Sequence, residues 1–272
     1  MKKRDSGCCE DTAAVNGEKY ECSCNCGFLE YPDECRVPEP ENPSENADDE
    51  FIARLEEYAR SLGIRNIGYT RLTPDVILAG DPPYMNAVVL TVEMDDDAVL
   101  TPPGREARET NDRLYEKLAD LTFRVADYLR INGYGAVAIH PMSGLIDLPL
   151  LGQNAGIGFK GRNGLLISPG SGPAQKISAV LTGISNLPYG SSDHEWIPSY
   201  CGRCGRCIRA CPRDALVEVE TCCGSTVLLL DDRCTGCSDG CTQCIESCPF
   251  YRKNYENIRS AFEKVAKPES KS

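Results

Sequence analysis

Seventeen cysteines in 272 residues dominate the chemistry open to this chain. Four of them fall in one run, Cys201-x2-Cys204-x2-Cys207-x3-Cys211, closed by Pro212. A tight loop of that spacing carries three thiolates to three irons of one cubane, while the fourth points away to serve another cluster. Structural zinc asks instead for two separated pairs meeting tetrahedrally on one ion, which a four-cysteine run ending in Cys-Pro fits poorly. The spacing therefore points to one-electron chemistry on [4Fe–4S] clusters.

A second set follows at Cys241-x2-Cys244-x3-Cys248-Pro249. It is one thiolate short, so the missing ligand must come from upstream, where Cys234 and Cys237 are the nearby options. In the crossed pattern of two-cluster ferredoxins, Cys201, Cys204, Cys207 and Cys248 hold one cluster. Cys211, Cys241, Cys244 and the upstream cysteine hold the other. Six further cysteines (Cys8, Cys9, Cys22, Cys24, Cys26 and Cys35) stand near the start and offer an extra metal site or a thiol-bearing tail. Cys222-Cys223 lies between two strand-like segments and reads as a turn.

Clusters alone only move electrons. No cysteine falls between Cys35 and Cys201, so the intervening block folds without them and is free to hold a second redox centre. Its apolar periods predict a helix over about 48–62, with Phe51, Ile52, Leu55, Ala59 and Leu62 on one face and Asp48 as cap. Strands are predicted at IRNIGYT, NAVVLTVEM (86–94), GAVAIH (135–140), NGLLIS (163–168) and KISAVLTGI (176–184). A long helix over about 106–131 repeats Leu114, Leu118, Leu121, Val125 and Leu129. STVLLLD adds a strand among the cluster motifs, and a helix of about 253–266 closes the chain. Intermixed strands and helices give an α+β fold. The expected organisation is a tail and Pro/Glu-rich linker at 1–46, a cofactor-binding domain at 47–190, a two-cluster domain at 191–252, and a helix and tail at 253–272.

The formal net charge of -12 and pI of about 4.8 argue against nucleic-acid binding, which needs a basic face. No apolar run reaches the ~18 residues of a membrane span, so no membrane partner is expected. The opening MKKRDSGCCE has neither a signal-like apolar stretch nor an Arg-Arg pair, and the expected location is cytoplasmic.

The segment 154–183, NAGIGFKGRNGLLISPGSGPAQKISAVLTG, resembles a stretch of the cobamide-dependent reductases, the superfamily of epoxyqueuosine reductase and the respiratory reductive dehalogenases. Leu187-Pro188 then leads into the first cysteine run, as in that superfamily, and GCTQCIESCP (240–249) is similar to its closing motif. LLLDDRC (228–234) is similar to the segment that donates the detached thiolate, which favours Cys234 over Cys237. The resemblance is good over about 145–250, vague over 48–144 and absent from 1–46. It implies a nitroreductase-like corrinoid-binding domain followed by a bacterial ferredoxin-like two-cluster domain. Cobalamin would lie near one cluster, with Gly156, Gly158, Gly161, Asn163, Gly164 and Leu165 as cofactor-binding residues. Electrons would pass from an external low-potential donor of ferredoxin or flavodoxin type through both clusters to cobalt and a small organic substrate.

The chain departs from that pattern in places. The superfamily's enzymes are longer, and loops that enclose the upper corrin face are reduced or missing here. Epoxyqueuosine reductases place an acidic proton donor ahead of the glycine-rich stretch. Asp147 is displaced from that point, and no tyrosine matches the donor of the dehalogenases. His140, at a strand end, and Tyr84, after DPP, are the remaining candidate proton donors. Arg105 and Arg108 could meet a carboxylate or a corrin amide, against the blander reading of a solvated helix face. Two alternatives to a corrinoid enzyme stand: a protein that reduces the corrinoid of a partner, and a reductase with flavin in the same cleft.

Overall fold

A computed structural model describes residues 13–15, 18–20, 34–221 and 224–266. Strands β1 (Ala13–Val15) and β2 (Glu18–Tyr20) pair antiparallel. Helix α1 (Asp49–Ser61) starts where Asp48 accepts the Phe51 N–H at 2.6 Å, a side-chain cap that satisfies one of the first-turn donors. Strands β3 (Asn66–Arg71) and β4 (Asn86–Glu93) follow, then the short α2 (Asp96–Leu100) and the 27-residue α3 (Arg105–Ile131). After these come β5 (Ala136–Ile139), α4 (Leu148–Asn154), β6 (Phe159–Lys160), β7 (Leu166–Ile167) and β8 (Gln175–Thr182).

Strands β3, β4, β8 and β5 form one antiparallel sheet in that order. Both faces are covered, and β4 shows why its sequence reads as a near-continuous apolar run. Val88 and Leu90 face α1 and α3 among Phe51, Leu55, Leu118, Val125 and Leu129. Ala87 and Val89 face the opposite side, among Leu148, Leu151, Ile157 and Leu166 from α4 and its following turns. Leu55, Leu118 and Leu129 are fully buried, and each such side chain contributes about 1.5–3 kcal/mol to the core.

The second module holds α5 (Trp196–Cys204), α6 (Arg206–Arg209), the antiparallel pair β9 (Leu216–Thr221) and β10 (Gly224–Leu229), α7 (Gly236–Asp239), α8 (Gln243–Glu246), α9 (Pro249–Arg252) and α10 (Tyr255–Ala266). It seats on the sheet domain by backbone approach and buried bonds. The Thr242 hydroxyl donates to the Val99 carbonyl at 2.6 Å, and the Gly104 N–H donates to the Asp239 carbonyl at 2.7 Å. Trp196 packs its ring on Phe250, Tyr255 and Phe262 at 5.4–5.7 Å, fixing α5 against α9 and α10. Among the described residues, no helix is long and apolar enough to cross a membrane.

Residues 36–46, expected as linker, lie along the sheet domain. The N–H groups of Arg36 and Val37 donate to Asp127 of α3, and the Ser44 N–H donates to the Gly133 carbonyl. Glu39 accepts the Ala136 N–H at 3.1 Å and lies 3.4 Å from the Arg130 guanidinium, whose side chain is 3% exposed. Arg130 also donates to the Ala136 and Val37 carbonyls, each at 2.8 Å. Removing the carboxylate takes a counter-charge from a buried cation. Breaking a buried pair costs about 3–5 kcal/mol, and the half-exposed Glu39 and surviving carbonyl bonds place Glu39→Ala near the bottom of that range. An anaerobic melt should show Tm lowered by roughly 6–12 °C, at about 2–4 °C per kcal/mol, with iron content unchanged.

Candidate functional site

Cys201 and Cys204 stand three residues apart on α5, so a single helix face presents both thiols. The helix ends at Gly205, whose φ of +57° is a left-handed turn that residues with a Cβ rarely adopt. A Cβ there would also meet the Arg209 guanidinium at 2.9 Å. That turn starts α6 in a new direction and brings Cys207 back toward the first two. Cys248, buried, arrives from the far end of the module just before Pro249 opens α9.

These four cysteines line one cavity, together with Arg162, Asn163, Ile167, Tyr200 and Phe250. Burial pushes the Cys248 thiol up to about 12, opposed by a hydrogen bond from the Phe250 N–H and reinforced by Cys201, Cys207 and Cys204 close by. Burial likewise raises Cys201 to about 11, against a hydrogen bond from the Arg162 N–H. Backbone donors thus already face these sulfurs, and a bound cationic iron centre would hold them as thiolates.

The second set gathers beside the first. Burial pushes the Cys244 thiol up to about 12, and its thiol neighbours are Cys207, Cys234, Cys241 and Cys211. Cys207 heads that group because the two sets abut there. Partial desolvation also raises Cys234, with Cys211 and Cys241 beside it. The Ala215 N–H donates to Cys211 Sγ at 3.2 Å. Among the described residues no three His, Cys, Asp or Glu side chains converge on a single-ion position. Both sets suit a cubane, whose irons keep the thiolates apart.

Cys237 lies on α7, with its side chain outside the described set. Cys8, Cys9, Cys22, Cys24, Cys26, Cys222 and Cys223 also lie outside the described residues. Cys35 packs on the sheet domain, its thiol 3.9 Å from the Phe123 carbonyl.

The glycine-rich stretch has a packing reason of its own. A Cβ on Gly158 would sit 2.2 Å from the Ile167 carbonyl oxygen, one on Gly156 2.8 Å from the Ser191 carbonyl oxygen, and one on Gly161 2.7 Å from the Ile167 side chain. Gly164, with φ +77°, has none of the described residues within 4 Å of its Cβ position. Leu165 is half-buried against the α2 cluster with Met94 and Val99.

Tyr84 and His140 are not brought together. Tyr84 lies over Gly135, at the start of β5, and its hydroxyl donates to Glu39 at 3.2 Å. Burial and that carboxylate raise its phenol above the usual value. His140 follows the other end of β5, where its Nδ1 accepts the Met142 N–H at 3.1 Å and desolvation lowers its pKa. Asp147 caps α4 and pairs with Lys160 at 2.5 Å. Arg105 and Arg108 each pair along α3 with an acidic residue four positions on, as a solvated helix face does. Sequence reasoning missed the Arg162–Glu218 ion pair, which ties the glycine-rich turn to β9 at 2.5 Å. Nothing in the local sequence signals that distant partner.

An antiparallel sheet carrying a cysteine-lined module defines an iron–sulfur protein of mixed α/β architecture. The model for a 4Fe-4S binding domain matches residues 194–217. A tetrachloroethene reductive dehalogenase of Desulfitobacterium hafniense is 32% identical over 155 residues, 57% of this chain and 27% of that protein. An epoxyqueuosine reductase of Cyclobacterium marinum is 36% identical over 64 residues, 24% of this chain and 19% of that protein. Among solved structures, a catabolic reductive dehalogenase in complex with 3-bromo-4-hydroxybenzoic acid shares the fold at TM-score 0.67 and 18% identity, over 83% of this chain and 35% of that one. An epoxyqueuosine reductase with a tRNA stem loop does so at TM-score 0.52 and 21% identity, over 75% and 66%. Reductive dehalogenases and epoxyqueuosine reductases are thus homologues of this chain, in line with its resemblance to the cobamide-dependent reductases. Its match spans about a quarter of the length of the dehalogenase. These relatives give the flavin alternative no support.

Proposed function

We propose that this chain is an iron–sulfur oxidoreductase that takes electrons from an external low-potential donor and passes them through two [4Fe–4S] clusters toward the corrinoid-dependent reduction of a small organic substrate. The observation that carries this reading is the convergence of Cys201, Cys204, Cys207 and Cys248 on one cavity, with Cys211, Cys234, Cys241 and Cys244 grouped beside it. We take those two groups as the ligand sets. Bound clusters supply one-electron transfer. The chain's own part is to hold the thiols in place, to wall the first cavity with Ile167, Tyr200 and Phe250, and to aim backbone N–H groups at sulfur. The four-stranded domain is then the nitroreductase-like half that would face a corrinoid.

Protein already fills the space beside Gly156, Gly158 and Gly161, so the missing Cβ atoms there have a packing reason and do not by themselves argue for a corrin cradle. The same observation favours a second reading, in which the chain reduces the corrinoid of a partner protein and holds none itself. Anaerobically reconstituted protein should contain about eight irons and about eight acid-labile sulfides; about four of each would reduce the assignment to a single cluster. Titrating the reduced protein with cobalamin separates the two readings. Stoichiometric capture with the lower base detached from cobalt supports the first. An unchanged base-on spectrum leaves the second.

A further inference from the structure

We propose that the 161–165 turn of the sheet domain forms one wall of the first cluster's cavity, and that the Asn163 side-chain amide donates a hydrogen bond to a sulfur of that cluster. This rests on the cluster assignment above, and it gives Asn163 a partner other than a corrinoid. Asn163 is 7% exposed, and it lines the cavity formed by Cys201, Cys204, Cys207 and Cys248. Its Oδ1 accepts the Leu165 N–H at 3.3 Å, which fixes which end of the amide is left over. Among the described residues, Nδ2 has no hydrogen-bond partner. A buried donor left unpaired is destabilising, so a buried amide placed at a thiol-lined cavity calls for an acceptor there. Thiolates and bridging sulfides carry negative charge and accept such bonds.

The turn is held firmly enough to aim that donor. The Gly161 N–H donates to the Leu165 carbonyl at 2.8 Å and the Gly164 N–H to the Gly161 carbonyl at 2.9 Å. The Arg162 guanidinium reaches Glu218 of β9 and, at 3.3 Å, Ser225 of β10. The Arg162 N–H already donates to Cys201, so the same turn contributes a backbone and a side-chain donor to one cavity. Donors to cluster sulfur stabilise the added electron and raise the reduction potential. Asn163 is therefore a tuning residue: it sets how readily the first cluster accepts an electron and takes no part in substrate chemistry.

The test is Asn163→Leu, close in size and without a donor, in the reconstituted full chain. A redox titration followed by paramagnetic resonance should show the first cluster's reduction equilibrium shifted about tenfold toward the oxidised form, about 59 mV lower for one electron. The second cluster's midpoint, the iron content and the sulfide content should match wild type. Unchanged potentials at full iron content overturn the proposal. Should the variant fail to hold its clusters, wild-type protein with ¹⁵N-labelled asparagine decides. A ¹⁵N hyperfine coupling on the reduced first cluster is expected, and its absence overturns the proposal. A wild-type protein without two cluster signals defeats the cluster assignment itself, which is a separate outcome.

Discussion

Cys207→Ala is expected to abolish one cluster's paramagnetic signal and Cys211→Ala the other's, although the two residues stand four apart in sequence. Each variant should keep about four of about eight irons. The reason is the turn at Gly205 and the single turn of α6 that follows. Cys207 sits inside the cavity with Cys201, Cys204 and Cys248. Cys211 comes one helical turn later, takes the Ala215 N–H on its sulfur, and keeps company with Cys234 and Cys244. Because Cys207 is also a near neighbour of Cys244, loss of the first cluster should remove its magnetic coupling to the second and leave the surviving signal simpler but present. Iron analysis with low-temperature spectra of both variants checks this. Loss of the same signal in both would sink the crossed scheme and return the ligand assignment to a local, uncrossed one.

The sheet domain was legible because its elements bury one stripe or both faces. The Leu118–Leu129 repeat marks α3, and the β-branched run at 86–92 marks β4, a strand covered on both sides. NGLLIS reads as a six-residue strand, yet only Leu166–Ile167 forms one, with Ser168 making an isolated bridge to Gly172. The Asn163 side chain and the left-handed Gly164 bend the preceding residues into a turn. Helix α5 was invisible to periodicity because its inward face carries cysteines spaced for iron, which no apolar pattern counts. The linker reading of 36–46 failed to anticipate Glu39, since one acidic residue of several among prolines gives no hint of the buried Arg130 some ninety positions away. Spacing revealed the thiolates because ligand geometry is local. Proton donors depend on long-range placement, and Tyr84 and His140 show how little a strand-end position says about it.

Gly158→Val is expected to cost about 3 kcal/mol or more, at or beyond the upper end for over-packing a tight site, and to do so in protein that has never met a corrinoid. The added Cβ would lie 2.2 Å from the Ile167 carbonyl oxygen and 3.0 Å from Ser168 Cα. Backbone cannot rotate away as a side chain can, so β6 and β7 would have to separate. Ile167 also lines the first cluster's cavity, so the displacement should reach Cys201 and its neighbours and lower iron content as well. Gly164→Ala makes the comparison. Its Cβ meets none of the described residues within 4 Å, leaving the strain of a left-handed backbone at φ +77°, about 1–2 kcal/mol. Anaerobic melts and iron analysis of the two variants therefore distinguish two roles for one glycine-rich stretch. If Gly158→Val folds with wild-type Tm and full iron but no longer takes up cobalamin, the space beside Gly158 serves a ligand. A large fall in Tm with no cobalamin present assigns that space to the contact between Gly158 and β7.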